Sequence, residues 1–207
     1  MAVSAQGLRV ALKHPFYSPS RSSSIRCFNF ADESRKVLTE GTLLGWADSL
    51  ICFSYEFTND FISAHPQKAS APSIPCLQFV QGVIAYPDPV LHRAAYLLEE
   101  LIPDDFSFIK YIHNADAVLL QEEDEPGYEL GVLLCFVQHV QFTITHGQVY
   151  LSDFQGAENL LTDPQVMMHP NLFGEGNVKK AFSEFASQHK CNKYCKLFEL
   201  EGFFFNG

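Results

Sequence analysis

Three metal-ligating side chains crowd into seven residues near the C-terminus, where His189, Cys191 and Cys195 form the pattern H-x-C-x3-C. Such a cluster of borderline and soft donors suits a tetrahedral metal once one further ligand arrives from elsewhere in the chain. His139 is the natural fourth. It falls in a helical pattern over Tyr128–Val140, where Leu130, Leu134, Val137 and then Gln141 share one face. Alone on such an apolar helix a histidine reads as a satisfied core residue; the distant H-x-C-x3-C reverses that reading. Four protein ligands leave no coordination position for water, so the expected metal is a structural zinc tying together elements more than fifty residues apart.

A second chemistry lies inside the same stretch. Asp153 and Gln155 follow the strand-like Val149-Tyr150-Leu151, and Asp163 comes shortly after, ahead of Gly174-Glu175-Gly176-Asn177. Hard oxygen donors beside glycines suggest a divalent cation and phosphates. Residues two apart on a strand share a face, which predicts Asp153 and Gln155 side by side at the strand's exit. Taken alone, Thr162-Asp163-Pro164 is a turn, and two glycines before a helix are a weak phosphate signal.

Five motifs occur in order: F-x-x-H from Phe136, T-x-G-x5-D-x-Q-G from Thr145, T-D-P-Q from Thr162, F-G-x-G-N from Phe173, and H-x-C-N-x-x-C-x-L-x-x-L from His189. Together they resemble the C-terminal lobe of the α-kinases, the atypical serine/threonine protein kinase family to which myosin heavy chain kinase and elongation-factor-two kinase belong. The resemblance implies an α+β, two-lobed kinase-like fold with a zinc-containing C-lobe and nucleotide held between the lobes. It implies transfer of the γ-phosphate of ATP to a protein serine or threonine. Asp153 matches the catalytic aspartate, Gln155 and Asp163 the magnesium pair, and Gly174, Gly176 and Asn177 the glycine loop. Where the family usually carries another glycine two positions past that asparagine, this chain has Lys179.

The N-terminal half carries the resemblance more thinly. Gly7–Lys13 reads as a strand, and its V-A-L-K is similar to the family's V-A-x-K, which makes Lys13 the phosphate-binding candidate; as a bare residue it reads equally as a solvated lysine. Glu40, on a helix spanning Asp32–Phe61 capped by Asp32 or Ser34, is either its orienting carboxylate or a surface glutamate. Cys76–Tyr86 alternates as a strand. Ala95–Ile102 resembles the hinge strand that receives adenine through its main chain, with Glu99 and Leu101 as candidates, and Phe106–Asn114 resembles the F-x-K-Y-x-x-N segment, carrying Lys110 and Asn114. One domain, 1–207, is expected, with a partial N-lobe over 1–95 and hinge plus C-lobe over 96–207. Only twelve residues precede Lys13, which suggests a truncated N-lobe and keeps open a zinc-stabilised pseudokinase or binding module.

Composition sets outer bounds. Two hundred and seven residues, 47% of them hydrophobic, supply a full core. A net charge of -10 argues against a phosphate-neutralising surface and so against nucleic acid as partner. No apolar run is long enough for a membrane span, so no membrane partner is expected and a cytoplasmic location is; the acid-free, serine- and arginine-containing first thirty residues also fit a transit peptide. Cys27, Cys52, Cys76 and Cys135 stand singly in apolar surroundings and are expected to be buried thiols.

Overall fold

The computed structural model describes residues 2–3, 9–17, 25–68, 74–86, 94–168 and 178–203. In chain order the elements are β1 (Ala2–Val3), β2 (Arg9–Lys13), β3 (Phe16–Tyr17), β4 (Arg26–Cys27), α1 (Phe30–Ala64) and a 3-10 turn at Pro66–Lys68. There follow β5 (Gln78–Phe79), β6 (Gly82–Ala85), β7 (Tyr96–Glu100), β8 (Ile109–Lys110), α2 (Tyr128–Ile144), β9 (Val149–Ser152), β10 (Gln155–Ala157), β11 (Leu160–Thr162), β12 (Gln165–Met168), α3 (Lys179–Gln188) and α4 (Lys193–Leu197). Helices and mostly antiparallel strands are not interleaved as parallel crossovers, so the fold is α+β.

The chain divides into two units. The first comprises residues 1–45 and 80–104, the second 46–79 and 105–207. In the first, an antiparallel sheet runs β1-β2-β7-β6, with β3 and β4 paired as a separate ribbon. Leu97 and Glu99 of β7 face inward, and Gly41 of α1 lets Ile84 pack to within 3.1 Å of where a Cβ would stand.

Helix α1 begins at Phe30, earlier than a cap at Asp32 or Ser34 would allow. Asn29 Oδ1 accepts from the Asp32 N–H at 3.0 Å, and Asn29 Nδ2 donates back to the Asp32 carboxylate at 2.6 Å, so Asn29 is the capping residue. Leu44, Ala47, Ile51, Ser54 and Thr58 then recur at three- and four-residue intervals and are buried. Two of the five are hydroxyl residues, tolerated because Ser54 donates to the Leu50 carbonyl and Thr58 to the Tyr55 carbonyl. Phe57 and Phe61 lie at the margin of this face against Phe198.

Cys76–Tyr86 does not form one strand. Gln78–Phe79 joins the second unit's sheet, parallel to β11, while Gly82–Ala85 joins the first unit's sheet beside β7. Alternating hydropathy marks both pieces and is silent about the change of sheet between them.

The second unit builds a sheet β5-β11-β10-β8 and a ribbon β12-β9 against α2, whose residues Gly131–Gln141 are all buried. Beside the ribbon, Tyr150 and Met167 pack with Ala181 and Phe185 of α3, and Phe142 and Phe182 close the cluster. The thiols differ from expectation: Cys27, Cys52 and Cys76 are exposed, and only Cys135 of those four is buried. Burial pushes the Cys135 thiol up to about 12, leaving it an inert core group. Among the described residues no helix is long and apolar enough to cross a membrane.

Candidate active site and metal centre

The metal cluster assembles from three elements of the second unit. α2 supplies His139, the residues after α3 supply His189 and Cys191, and α4 supplies Cys195; their ligand atoms all lie within 4.8 Å of one another. His139 Nδ1 stands 3.4 Å from Cys195 Sγ and 3.8 Å from Cys191 Sγ, and His189 Nε2 is 3.7 Å from Cys195 Sγ. A regular tetrahedron with metal–nitrogen bonds of about 2.0 Å and metal–sulfur bonds of about 2.3 Å puts such atoms about 3.5 Å apart. The donor set therefore fits a zinc ion.

Its surroundings prepare it. Burial lowers His139 to about 4, with the Glu201 main chain acting the other way, and burial together with the neighbouring His139 lowers His189 to about 4. Both rings are neutral at pH 7, with lone pairs available to a cation. Burial also raises the Cys195 thiol to about 11, a preference for the neutral form that a metal reverses. Asn192 Oδ1 accepts from the Tyr194 and Cys195 N–H groups as the cap of α4, while its Nδ2 donates to the Val132 carbonyl on α2 at 2.8 Å. The asparagine of H-x-C-N thus sets the Cys195 end of the cluster against the helix bearing His139. Phe203 seals the cluster, 4.4 Å from the His139 ring and 5.8 Å from the His189 ring. The apolar tail therefore packs on its own unit, as far as Phe203.

The polar site forms where β9 ends. β9 stops at Ser152, and Asp153 takes φ 59°, so the chain reverses instead of extending and the shared-face reasoning for Asp153 and Gln155 does not hold. Asp163 also has a left-handed backbone, φ 49°. Aspartate enters this region more readily than most side chains, yet two such residues two strands apart store strain of the kind found at functional sites.

Four of the expected residues are brought together here. Gln155 stands across from Lys110 in the β10–β8 ladder; Lys110 Nζ is 2.8 Å from Asp153 Oδ1, and Gln155 Nε2 donates to Asp163 Oδ2 at 3.4 Å. Gly156 has a structural reason of its own. A Cβ there would stand 2.1 Å from the Leu160 carbonyl oxygen, so the tight β10–β11 hairpin that returns Asp163 to Gln155 requires glycine.

Two residues that sequence reasoning passed over hold this end of β9. Gln138 and Gln141, fully buried on α2, take both main-chain groups of Leu151: Gln138 Nε2 donates to its carbonyl and Gln141 Oε1 accepts its N–H, each at 2.8 Å. Gln141 Nε2 continues to Ser54 Oγ at 3.3 Å. Amides three residues apart on an otherwise apolar helix were the available signal.

In the first unit, Lys13 ends β2 with its ammonium 2.7 Å from the buried carboxylate of Glu99. Glu99 faces Ala11 on one side and Gly82 on the other, so its main chain sits inside the sheet and its side chain meets the lysine. The Glu99 side chain is thus a lysine partner, a contact separate from the main-chain role expected of this residue. Leu101 lies just past the strand's end, outside the ladder. Glu40 is exposed on α1, and Asn114 is half-buried in a bend. Gly174, Gly176 and Asn177 lie outside the described residues.

The α-kinase family model matches residues 48–195. The chain belongs to the α-kinase family. Among curated proteins it is similar to α-protein kinase 2 of Danio rerio, 33% identical over 110 residues, which is 51% of this chain and 5% of that protein. It is also similar to myosin heavy chain kinase A of Dictyostelium discoideum, 37% identical over 65 residues, 30% of this chain and 6% of that protein. The matched region is thus about one-twentieth of these relatives' length. The crystal structure of the α-kinase domain of myosin heavy chain kinase A in complex with ADP superposes with a TM-score of 0.62 at 21% identity, covering 95% of this chain and 66% of that one. The same domain in complex with AMP-PNP gives 0.62 at 20% identity, again over 95% and 66%. At these identities the shared property is the fold.

Proposed function

We propose that this chain is the catalytic region of an α-type protein kinase that moves the γ-phosphate of ATP to a serine or threonine hydroxyl. The observation that carries the reading is the convergence of Lys110, Asp153, Gln155 and Asp163 at adjoining strand ends. Phosphoryl transfer asks a protein for positioning and charge compensation, and that quartet supplies an acceptor for a proton, two oxygen ligands and a cation. Asp153 takes the proton of the incoming hydroxyl as its oxygen bonds the γ-phosphorus and the bond to the bridging oxygen breaks. Lys110 fixes the orientation of Asp153. Gln155 and Asp163 hold magnesium, which when bound offsets the negative charge of the phosphates. In the first unit, Lys13, oriented by Glu99, contacts phosphate oxygens, and the segment ending in Leu101 meets the adenine. Asn114, Gly174, Gly176 and Asn177 complete the nucleotide and substrate contacts.

His139, His189, Cys191 and Cys195 hold a structural zinc in what we read as the C-lobe of a single domain, 1–207. The nucleotides in the related crystal structures, ADP and AMP-PNP, support ATP as the cofactor.

A pseudokinase or binding module is the second reading, favoured by Lys179 in place of the family's glycine and by the Lys110 ammonium lying on the proton acceptor. Labelled phosphate from magnesium ATP, offered to a basic test protein and to the chain itself, separates the two. Incorporation on serine or threonine that Asp153→Ala and Asp163→Ala each abolish is the expected result. A folded, zinc-loaded wild type that transfers no more than these variants would overturn the catalytic reading.

A further inference from the structure

The first unit holds a second group of ligating atoms that the kinase chemistry does not use. His14 Nε2, Cys27 Sγ and a Glu33 carboxylate oxygen lie within 4.8 Å of one another, from three separate places: the residue after β2, the end of β4 and the first turn of α1. Nothing in the spacing 14, 27, 33 signals this; the fold makes it.

Two details point to a cation. Glu33 is 3% exposed, and the Ala95 N–H, at 3.4 Å, is a weak main-chain donor for so buried a carboxylate. A charge removed from water to that degree needs a positive partner close by. His14 Nε2 is the nearest candidate, 3.2 Å from Glu33 Oε1, yet that nitrogen is buried and the contact is not aligned as a hydrogen bond. Two lone pairs aimed at a common point give this arrangement. Nitrogen and oxygen ligands on a tetrahedral zinc stand about 3.3 Å apart, since each bond is about 2.0 Å. The outer contacts fit as well: the His14 ring lies against Tyr96 at 4.9 Å, and the long Ala95 N–H contact falls on Oε2, the oxygen other than the one facing His14.

We propose that His14, Cys27 and Glu33 form a second metal site, for a divalent cation of the zinc class, in the N-terminal unit. Nitrogen, sulfur and oxygen donors in one set select such a borderline cation over magnesium or calcium. Binding releases the Cys27 thiol proton to solvent and makes the sulfur a thiolate ligand. Three protein ligands leave the fourth position to water on the exposed Cys27 side. The ion pins the β3–β4 ribbon to the start of α1 and to the end of β2, one residue from Lys13.

The test needs neither nucleotide nor activity. The metal-free full chain is titrated with cobalt(II), following the visible ligand-field bands and the thiolate-to-cobalt charge-transfer band, for wild type, Cys27→Ser and His14→Ala. The expected result is two equivalents per chain for wild type and one for each variant, the lost equivalent carrying the charge-transfer intensity of a single thiolate. Cys27 is exposed, so its serine variant retains the fold and decides the matter should His14→Ala fail to fold. One equivalent in wild type, or two retained in Cys27→Ser, would overturn the proposal.

Discussion

Asp153 combines an ion pair to Lys110 with a left-handed backbone, and the two can be separated. Asp153→Ala and Asp153→Gly both lose the carboxylate and its Lys110 partner, but only alanine keeps a Cβ at φ 59°. The glycine variant should be the more stable of the two by about 1 kcal/mol in urea unfolding, with both equally inactive. Equal stabilities would show that the left-handed backbone costs nothing here. Asp48 makes a second case. Burial raises its carboxyl above the usual range, against a hydrogen bond from the Phe79 main chain. A pKa raised by folding means that folding opposes ionisation. That contribution is absent below the unfolded carboxyl's pKa and grows as pH rises through the folded value. Asp48→Asn should therefore match wild type near pH 3 and exceed it in stability at pH 7, as denaturant midpoints at the two values would show.

At the scale of elements, β9 is held both by its neighbour strand β12 and by the helix α2. Gln138 and Gln141 of α2 fix both main-chain groups of Leu151, two residues before Asp153. Gln141→Leu leaves a buried N–H and the Ser54 hydroxyl without this amide, and should cost roughly 1–3 kcal/mol. It should also lower phosphate transfer at saturating ATP more than stability alone explains, because Asp153 loses its footing. The β10–β11 hairpin is governed by close approach: Gly156→Ala drives a Cβ into the Leu160 carbonyl and should destabilise by at least about 2 kcal/mol in calorimetry. Hydropathy placed β2, β7 and α2 nearly where they are, since each buries a regular face. It misplaced the cap of α1 and joined β5 to β6, because a side-chain cap and a change of sheet leave no trace in apolar periodicity.

For the molecule as a whole, a metal held by the proposed zinc cluster would link binding to folding. The cluster of His139, His189, Cys191 and Cys195 joins α2, the end of α3 and α4, and Phe203 and Phe185 pack on its histidines. Removing zinc with a chelator should lower the melting temperature by roughly 10 °C or more and expose Phe203 and Phe185 to a hydrophobic dye. A chelated chain that melts where the loaded one does would show the site to be incidental.

The sequence by itself determined the family, and it named the four candidate metal ligands and the polar quartet whose side chains the fold brings together. These are readable because ligand chemistry demands particular side chains in a particular order, whatever lies between them. Tertiary structure alone decided who partners whom. It placed Glu99 on Lys13 and Lys110 on Asp153, turned Asp153 out of its strand, and brought His14, Cys27 and Glu33 to one point. Those pairings depend on which strand ends meet and on which face a carboxylate is buried, and both follow from packing between segments far apart in the chain.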